Sequence, residues 1–323
     1  MGIHSLPRFI ALNSNFVNIL YMSWFLIALI GPILYAIANH TDKYLIEKYL
    51  KGGAVGSLII FSSIFSIVAV PVVLLIHPSV FGVDVFHGII LTINGMLVVW
   101  AVLCYFYALK KDEVSYVVPF YQTIPIFGFI LGYLILGETI SVIQAIASVV
   151  IILGALVLSF ELGDKIRFKK EVVLLMLTAS ILYAINSVVF KSIALNDGFW
   201  LSTFWSLIGK IILGVIFFVF IKTYRFQFIE MIKENKIVVL GLNSLSETMF
   251  IIAESVTGYA TLLAPLVLVL LVNSFQPLFV FVIGVLLTLF LPKISQESLS
   301  KKNLIQKVIG IGLIIVGTCF IGQ

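Results

Sequence analysis

Charge is what this sequence has least of. Only 11% of its 323 residues are Asp, Glu, Lys or Arg, while 61% are hydrophobic. A soluble domain carries about a quarter charged and about half apolar residues, so that class is excluded. Cysteine is nearly absent. Cys104 and Cys319 both fall inside apolar runs, without the C-x-x-C spacing of a metal or redox site or the framework of a disulfide-rich secreted domain, and they read as packing residues. The four histidines, His4, His40, His77 and His87, are scattered. No HExxH, paired-aspartate metal motif or Cys/His cluster occurs, and no GxxxxGK[ST] loop occurs to cradle a nucleotide phosphate. ATP-driven transport by this chain alone is therefore not expected, nor is any cofactor. The formal charge of +5 does not imply a nucleic-acid partner, because the basic residues sit in short breaks between apolar runs, where they set membrane orientation.

What the sequence has is a series of apolar runs of about 20 residues, the length at which a helix crosses roughly 30 Å of hydrocarbon. The expectation is an all-α integral membrane protein with ten transmembrane helices. The runs lie at roughly 22–39, 54–76, 86–109, 115–136, 141–160, 171–193, 199–221, 236–256, 261–290 and 303–322. Residues 1–21 read as a surface segment, because Pro7, Asn13, Asn15 and Asn18 interrupt any apolar core, and Met22 is an alternative start. Pro119 and Pro125 interrupt the fourth run, and Pro265 and Pro277 the long ninth. Each proline removes a backbone donor, so these helices should be kinked and should face protein rather than lipid.

The chain repeats itself. Ile33 to Lys43 reads ILYAIANHTDK and Ile181 to Lys191 reads ILYAINSVVFK, an ungapped match at six of eleven positions and a shift of 148. Asn94 and Asn243 recur at nearly the same shift. A duplicated unit of five spans must insert upside down in its second copy, because five is odd. The expected units are 22–160 and 171–323, joined by a basic linker at 161–170 and related as inverted repeats around a midplane substrate site. Nearly all Lys and Arg fall in the breaks after odd-numbered spans, from Lys43, Lys48 and Lys51 to Lys293, Lys301 and Lys302. That puts those breaks in the cytoplasm and both termini outside.

Ten spans, the five-plus-five duplication, the proline-interrupted fourth span and the turn Leu136-Gly137-Glu138 resemble the EamA-type transporters of the drug/metabolite transporter superfamily, over about residues 22–322. The resemblance implies secondary transport or export of small metabolites by alternating access. Two features depart from the family. The second copy has LPKISQES, with Glu297 as its nearest carboxylate, where a Gly-Glu turn would stand, and family members are usually described with cytoplasmic termini.

Ionisable groups inside apolar spans are functional candidates, because leaving them unpaired is costly. Lys210 lies midway along span seven and Glu247 midway along span eight, at comparable depth on adjacent helices. Asn243 shares a face with Glu247 at i, i+4. The two charges suit a substrate carboxylate or amine; a carboxylate at that depth can be neutral or charged, so Glu247 is also the candidate carrier if protons are the coupling ion. A static ion pair locking two helices is the alternative. Gln122, Asn186 and Gln276, with Asn94, are the amides placed for substrate hydrogen bonds, and each can equally hold helices together. Lys191 is expected to reach the interface, Glu138 to cap span five, and Trp24, Trp200 and Trp205 to anchor at the interfaces.

These features favour a secondary transporter, exporter or exchanger of a small polar or zwitterionic metabolite, multi-pass in the cell membrane. A lipid or lipid-linked carrier translocase of the same fold stands as the alternative. An intramembrane enzyme, for which no catalytic constellation is recognisable, or a structural membrane protein would be the reading from another class.

Overall fold

The structure, a computed structural model, describes residues 14–48, 55–111, 117–159, 169–234, 236–290 and 301–321. The segment 1–13, most of the linker 161–170 and the LPKISQES loop with Glu297 lie outside the described residues. Among the described residues every regular element is helical. The elements are α1 (Ser14–Lys48), α2 (Val55–Ile76), α3 (Val85–Lys111), α4 (Phe120–Leu136), α5 (Val142–Ser159), α6 (Lys170–Asp197), α7 (Phe199–Phe220), α8 (Lys222–Glu234), α9 (Lys236–Thr261), α10 (Leu266–Phe290) and α11 (Lys301–Ile321).

Among the described residues eight of these are long and apolar enough to cross a membrane, and α4 and α5 are shorter apolar helices. Leu75, Val142 and Phe220 are 83%, 77% and 76% exposed. Such a surface is stable only against hydrocarbon, and the chain is an integral, multi-pass membrane protein.

All ten expected runs are helical, but among the described residues α4 and α5 fall short of full spans, and for α4 the reason lies in its backbone. A 3-10 turn over Val118–Thr123 leads into a short α-helix, Ile124–Leu131, and then a π-helical turn, Gly132–Leu136. Gly137 then takes φ 67, a left-handed conformation open to glycine without a Cβ penalty, and the helix stops. α10 likewise has a 3-10 break over Asn273–Phe275, which ends two residues before Pro277. The proline-marked runs are thus interrupted as their sequence predicts.

α1 is helical from Ser14, within the stretch expected to be a surface segment, and continues to Lys48. Asparagines dilute an apolar pattern without breaking a helix. Asp42 and Lys43, expected in a loop, are therefore helical.

The helices pair across the two halves: α1 packs on α9 and α10, α6 on α3 and α4, α2 on α7, α4 on α10, and α5 on α11. The α3–α7 contact depends on glycine at both sides. A Cβ on Gly95 would overlap the Ser206 carbonyl, and one on Gly209 the Thr92 carbonyl, so the two backbones meet only because neither side chain exists. Nearby, Asn94 Nδ2 donates to the Asn186 carbonyl (3.1 Å) and Asn186 Nδ2 donates back to the Asn94 carbonyl (3.2 Å), which ties α3 to α6.

Trp24 and Trp205 are core residues rather than simple interface anchors. Trp24 is buried in the cluster formed with α5 and α10, and Trp205 Nε1 donates to the Val80 carbonyl at 2.9 Å.

Candidate functional site

The main cavity lies between the halves and is bordered by α1, α2, α3, α4, α6, α7, α9 and α10. Its volume is about 180 Å³. A single water needs ~10–15 Å³ on a comparable measure, so the space admits a small molecule. Both interrupted helices present their breaks to it, through Gln122 and Pro125 on α4 and through Asn273, Ser274 and Gln276 on α10. Irregular backbone is tolerated at membrane depth where it is buried in protein or borders a cavity, which is the position of both breaks.

Of the residues singled out in the sequence, Lys210, Glu247, Asn186, Gln122 and Gln276 line the cavity. Asn94 does not, being spent on Asn186. Asn243 does not either: it is 3% exposed and turns its amide back to the Val239 carbonyl at 3.0 Å. At i, i−4 from Glu247 it shares a helix face, but the packing of α9 on Met231 draws it away.

The expected pairing of Lys210 with Glu247 is replaced. Lys210 is ion-paired with Glu254, two turns further along α9. Glu247 instead has Ser62 and Asp42 as neighbours. Asp42 accepts a hydrogen bond from Ser246 Oγ at 2.5 Å. The cavity wall therefore holds the carboxylates of Asp42, Glu247 and Glu254 against the one ammonium of Lys210.

Sequence reasoning missed Asp42 and Glu254 because it placed them at or beyond span ends. It also missed the tyrosines. Tyr105, Tyr121 and Tyr183 stand in a row with ring centroids 5.5 and 5.9 Å apart, and Tyr35 meets Phe250 edge-on at 5.3 Å. A signal was present: Tyr35 and Tyr183 occupy the same position of the internal repeat, and both border the cavity.

Outside the cavity lining the halves are clasped by a second buried ion pair. Lys191, expected to reach the interface, is 5% exposed; it pairs with Glu138 and donates to the Ala264 carbonyl at 2.7 Å. The other oxygen of Glu138 accepts from the Leu266 amide at 2.6 Å, so Glu138 caps α10 and not α5. α5 has its own cap, in which Ser141 Oγ accepts from the Gln144 amide (3.1 Å) and Gln144 Oε1 from the Ser141 amide (3.0 Å).

Comparison with known proteins follows this division of the chain. The model of the EamA-like transporter family matches residues 22–160, which run from α1 to the end of α5. This EamA-like region contributes Tyr35, Asp42, Tyr105 and Gln122 to the cavity. One solved structure, titled "Crystal structure of protein", covers 93% of this chain and 96% of its own with a TM-score of 0.61. At 13% identity it shares the fold and carries no statement about activity. No curated protein matches the chain. Among the described residues no group of three or more His, Cys, Asp or Glu is arranged to hold a metal ion.

Proposed function

We propose that this EamA-like protein is a secondary transporter of the cell membrane, an exporter or exchanger that moves a small polar metabolite by alternating access. The observation that carries the reading is the cavity itself: a space of about 180 Å³ between the halves, bordered by two interrupted helices and holding the Lys210–Glu254 pair with Asp42 and Glu247. Interrupted helices flanking a polar site between repeats suit a carrier that exchanges bound substrate between two sides.

The architecture proposed with it is two inverted five-helix repeats, 22–160 and 171–323, after an N-terminal segment 1–21 and joined by 161–170. The packing supports this. Exchanging α1 with α6, α2 with α7, α3 with α9, α4 with α10 and α5 with α11 turns the α1–α9 contact into α6–α3, turns α1–α10 into α6–α4, and leaves α2–α7, α4–α10 and α5–α11 unchanged. Asp42 and Glu247 are the groups that would carry protons if a proton gradient drives the exchange.

Reconstitution into liposomes tests the proposal. Purified protein should give saturable, counter-substrate-stimulated uptake of at least one member of a panel of amino acids, amines and organic acids. Uptake no faster than in protein-free liposomes for every member of the panel would refute it.

A further inference from the structure

The cavity's charges do not balance. Lys210 is neutralised by Glu254, which leaves Asp42 and Glu247. Among the described residues neither of them forms an ion pair; Asp42 has a hydrogen bond from a serine, and Glu247 has Ser62 beside it. A second, independent observation concerns hydrogen bonding. Gln122 is 4% exposed and its Oε1 has no partner among the described residues; Asn273 Oδ1 is in the same condition, and both residues line the cavity. Both amide oxygens are acceptors, and the hydroxyls of Thr203, Ser206, Thr257 and Ser274, which also line the cavity without a partner among the described residues, can accept as well. Two unpaired carboxylates and two unpaired amide oxygens ask for a ligand that donates hydrogen bonds and carries positive charge. A third observation is the wall. The row Tyr105–Tyr121–Tyr183 and the Tyr35–Phe250 pair offer ring faces and edges to a flat apolar body, and ring faces also attract cations.

We propose that the cavity is a site for an aromatic amine: its ammonium group docks between the carboxylates of Asp42 and Glu247, and its ring lies along the Tyr105–Tyr121–Tyr183 wall. The inference rests on the transport reading for its physiological meaning and narrows that reading to monocationic substrates. An amino acid zwitterion is disfavoured because its carboxylate would have to compete with Glu254 for Lys210, in a cavity that holds three carboxyl groups and one ammonium group.

Calorimetry on the purified full chain at neutral pH tests the inference without transport, using 2-phenylethylamine, L-phenylalanine, 3-phenylpropionate and 2-phenylethanol, which share a ring and differ in charge. The amine should bind, and the other three should bind at least about tenfold more weakly. Asp42→Asn and Glu247→Gln keep size and hydrogen bonding, and each should weaken the amine by about 10–100-fold, the range set by losing one charged hydrogen bond. Tyr183→Leu should also weaken it, while Gly312→Ala, outside the cavity and with nothing near its Cβ, should leave amine binding unchanged. Melting temperatures of the unliganded variants identify any that fail to fold, and the remaining variants decide. Tighter binding of L-phenylalanine or 3-phenylpropionate, or an amine affinity indifferent to both Asp42→Asn and Glu247→Gln, would overturn the inference and leave the transport reading intact. Binding of none of the four would also overturn it, and liposome flux would then judge the transport reading separately.

Discussion

Replacing Lys191 by Met removes the clasp between the halves. The ammonium of Lys191 is 7% exposed at its side chain and the Glu138 carboxylate 18%, so water cannot replace much of what is lost. After the change, Glu138 keeps its bond to the Leu266 amide, the Ala264 carbonyl loses its donor, and one carboxylate is left uncompensated. Breaking a buried pair from one side costs about 3–5 kcal/mol. At roughly 2 °C per kcal/mol for a chain of this length, melting in detergent should fall by about 6–10 °C. The double variant Lys191→Met with Glu138→Gln removes both charges, and replacement of a whole buried pair is often close to neutral. It should recover more than half of the loss. Single variants that melt with the wild type, or a double variant that melts at the sum of the two losses, would refute the argument that the pair clasps the halves.

Gly209→Val should lower the melting temperature by several degrees, because its side chain would collide with the Thr92 carbonyl and force α3 from α7; Gly312→Ala, with nothing near its Cβ, should melt as the wild type. A reporter that fluoresces only in the cytoplasm, fused after Gln323, should stay dark if the basic breaks orient the chain as the positive-inside rule requires. A bright fusion would reverse the orientation. Glu247→Gln should reduce liposome flux at least about tenfold with little change in melting, since Glu247 forms no ion pair among the described residues whose loss would weaken the fold. A stability loss like that of Lys191→Met would make Glu247 structural.

The helices and their interruptions were legible because membrane length and backbone chemistry leave few solutions: about twenty apolar residues make a spanning helix, and a proline in one removes a backbone donor, which goes with breaks in α4 and α10, although α1 runs on through Pro32. Lys210 and Glu247 were legible for the same energetic reason, as charges in apolar runs. Their partners were not. Asp42 sat beyond an assumed helix end, yet α1 continues to Lys48 and brings it beneath Ser246. Glu254 lies on the same helix as Glu247, and only the placement of α7 decides which of the two Lys210 reaches. Glu138 and Lys191 were read locally, as a cap and an interface group, because nothing in a linear sequence says that they meet each other across the halves. Asn94 and Asn243 were matched by repeat position, but Asn94 bridges helices and Asn243 bonds to its own helix, so the echo in sequence does not carry a common role.

Alternating access is tested most directly by side-specific labelling at the two ends of the cavity. Asn39 lies one turn from Asp42, which bonds to Ser246, and Thr203 lies on α7 between Phe199, which meets Tyr259, and Lys210, which pairs with Glu254; from Ser246 to Glu254 and Tyr259, α9 rises about 12–20 Å at 1.5 Å per residue. In a chain with Cys104 and Cys319 replaced by Ser, single cysteines at Asn39 and Thr203 are treated in oriented vesicles with a membrane-impermeant maleimide from each side. The account predicts that each cysteine labels from one side only, that the two sides are opposite, and that a transported substrate shifts the two labelling rates in opposite directions. Labelling of both positions from one side, with rates that substrate does not move, would contradict it.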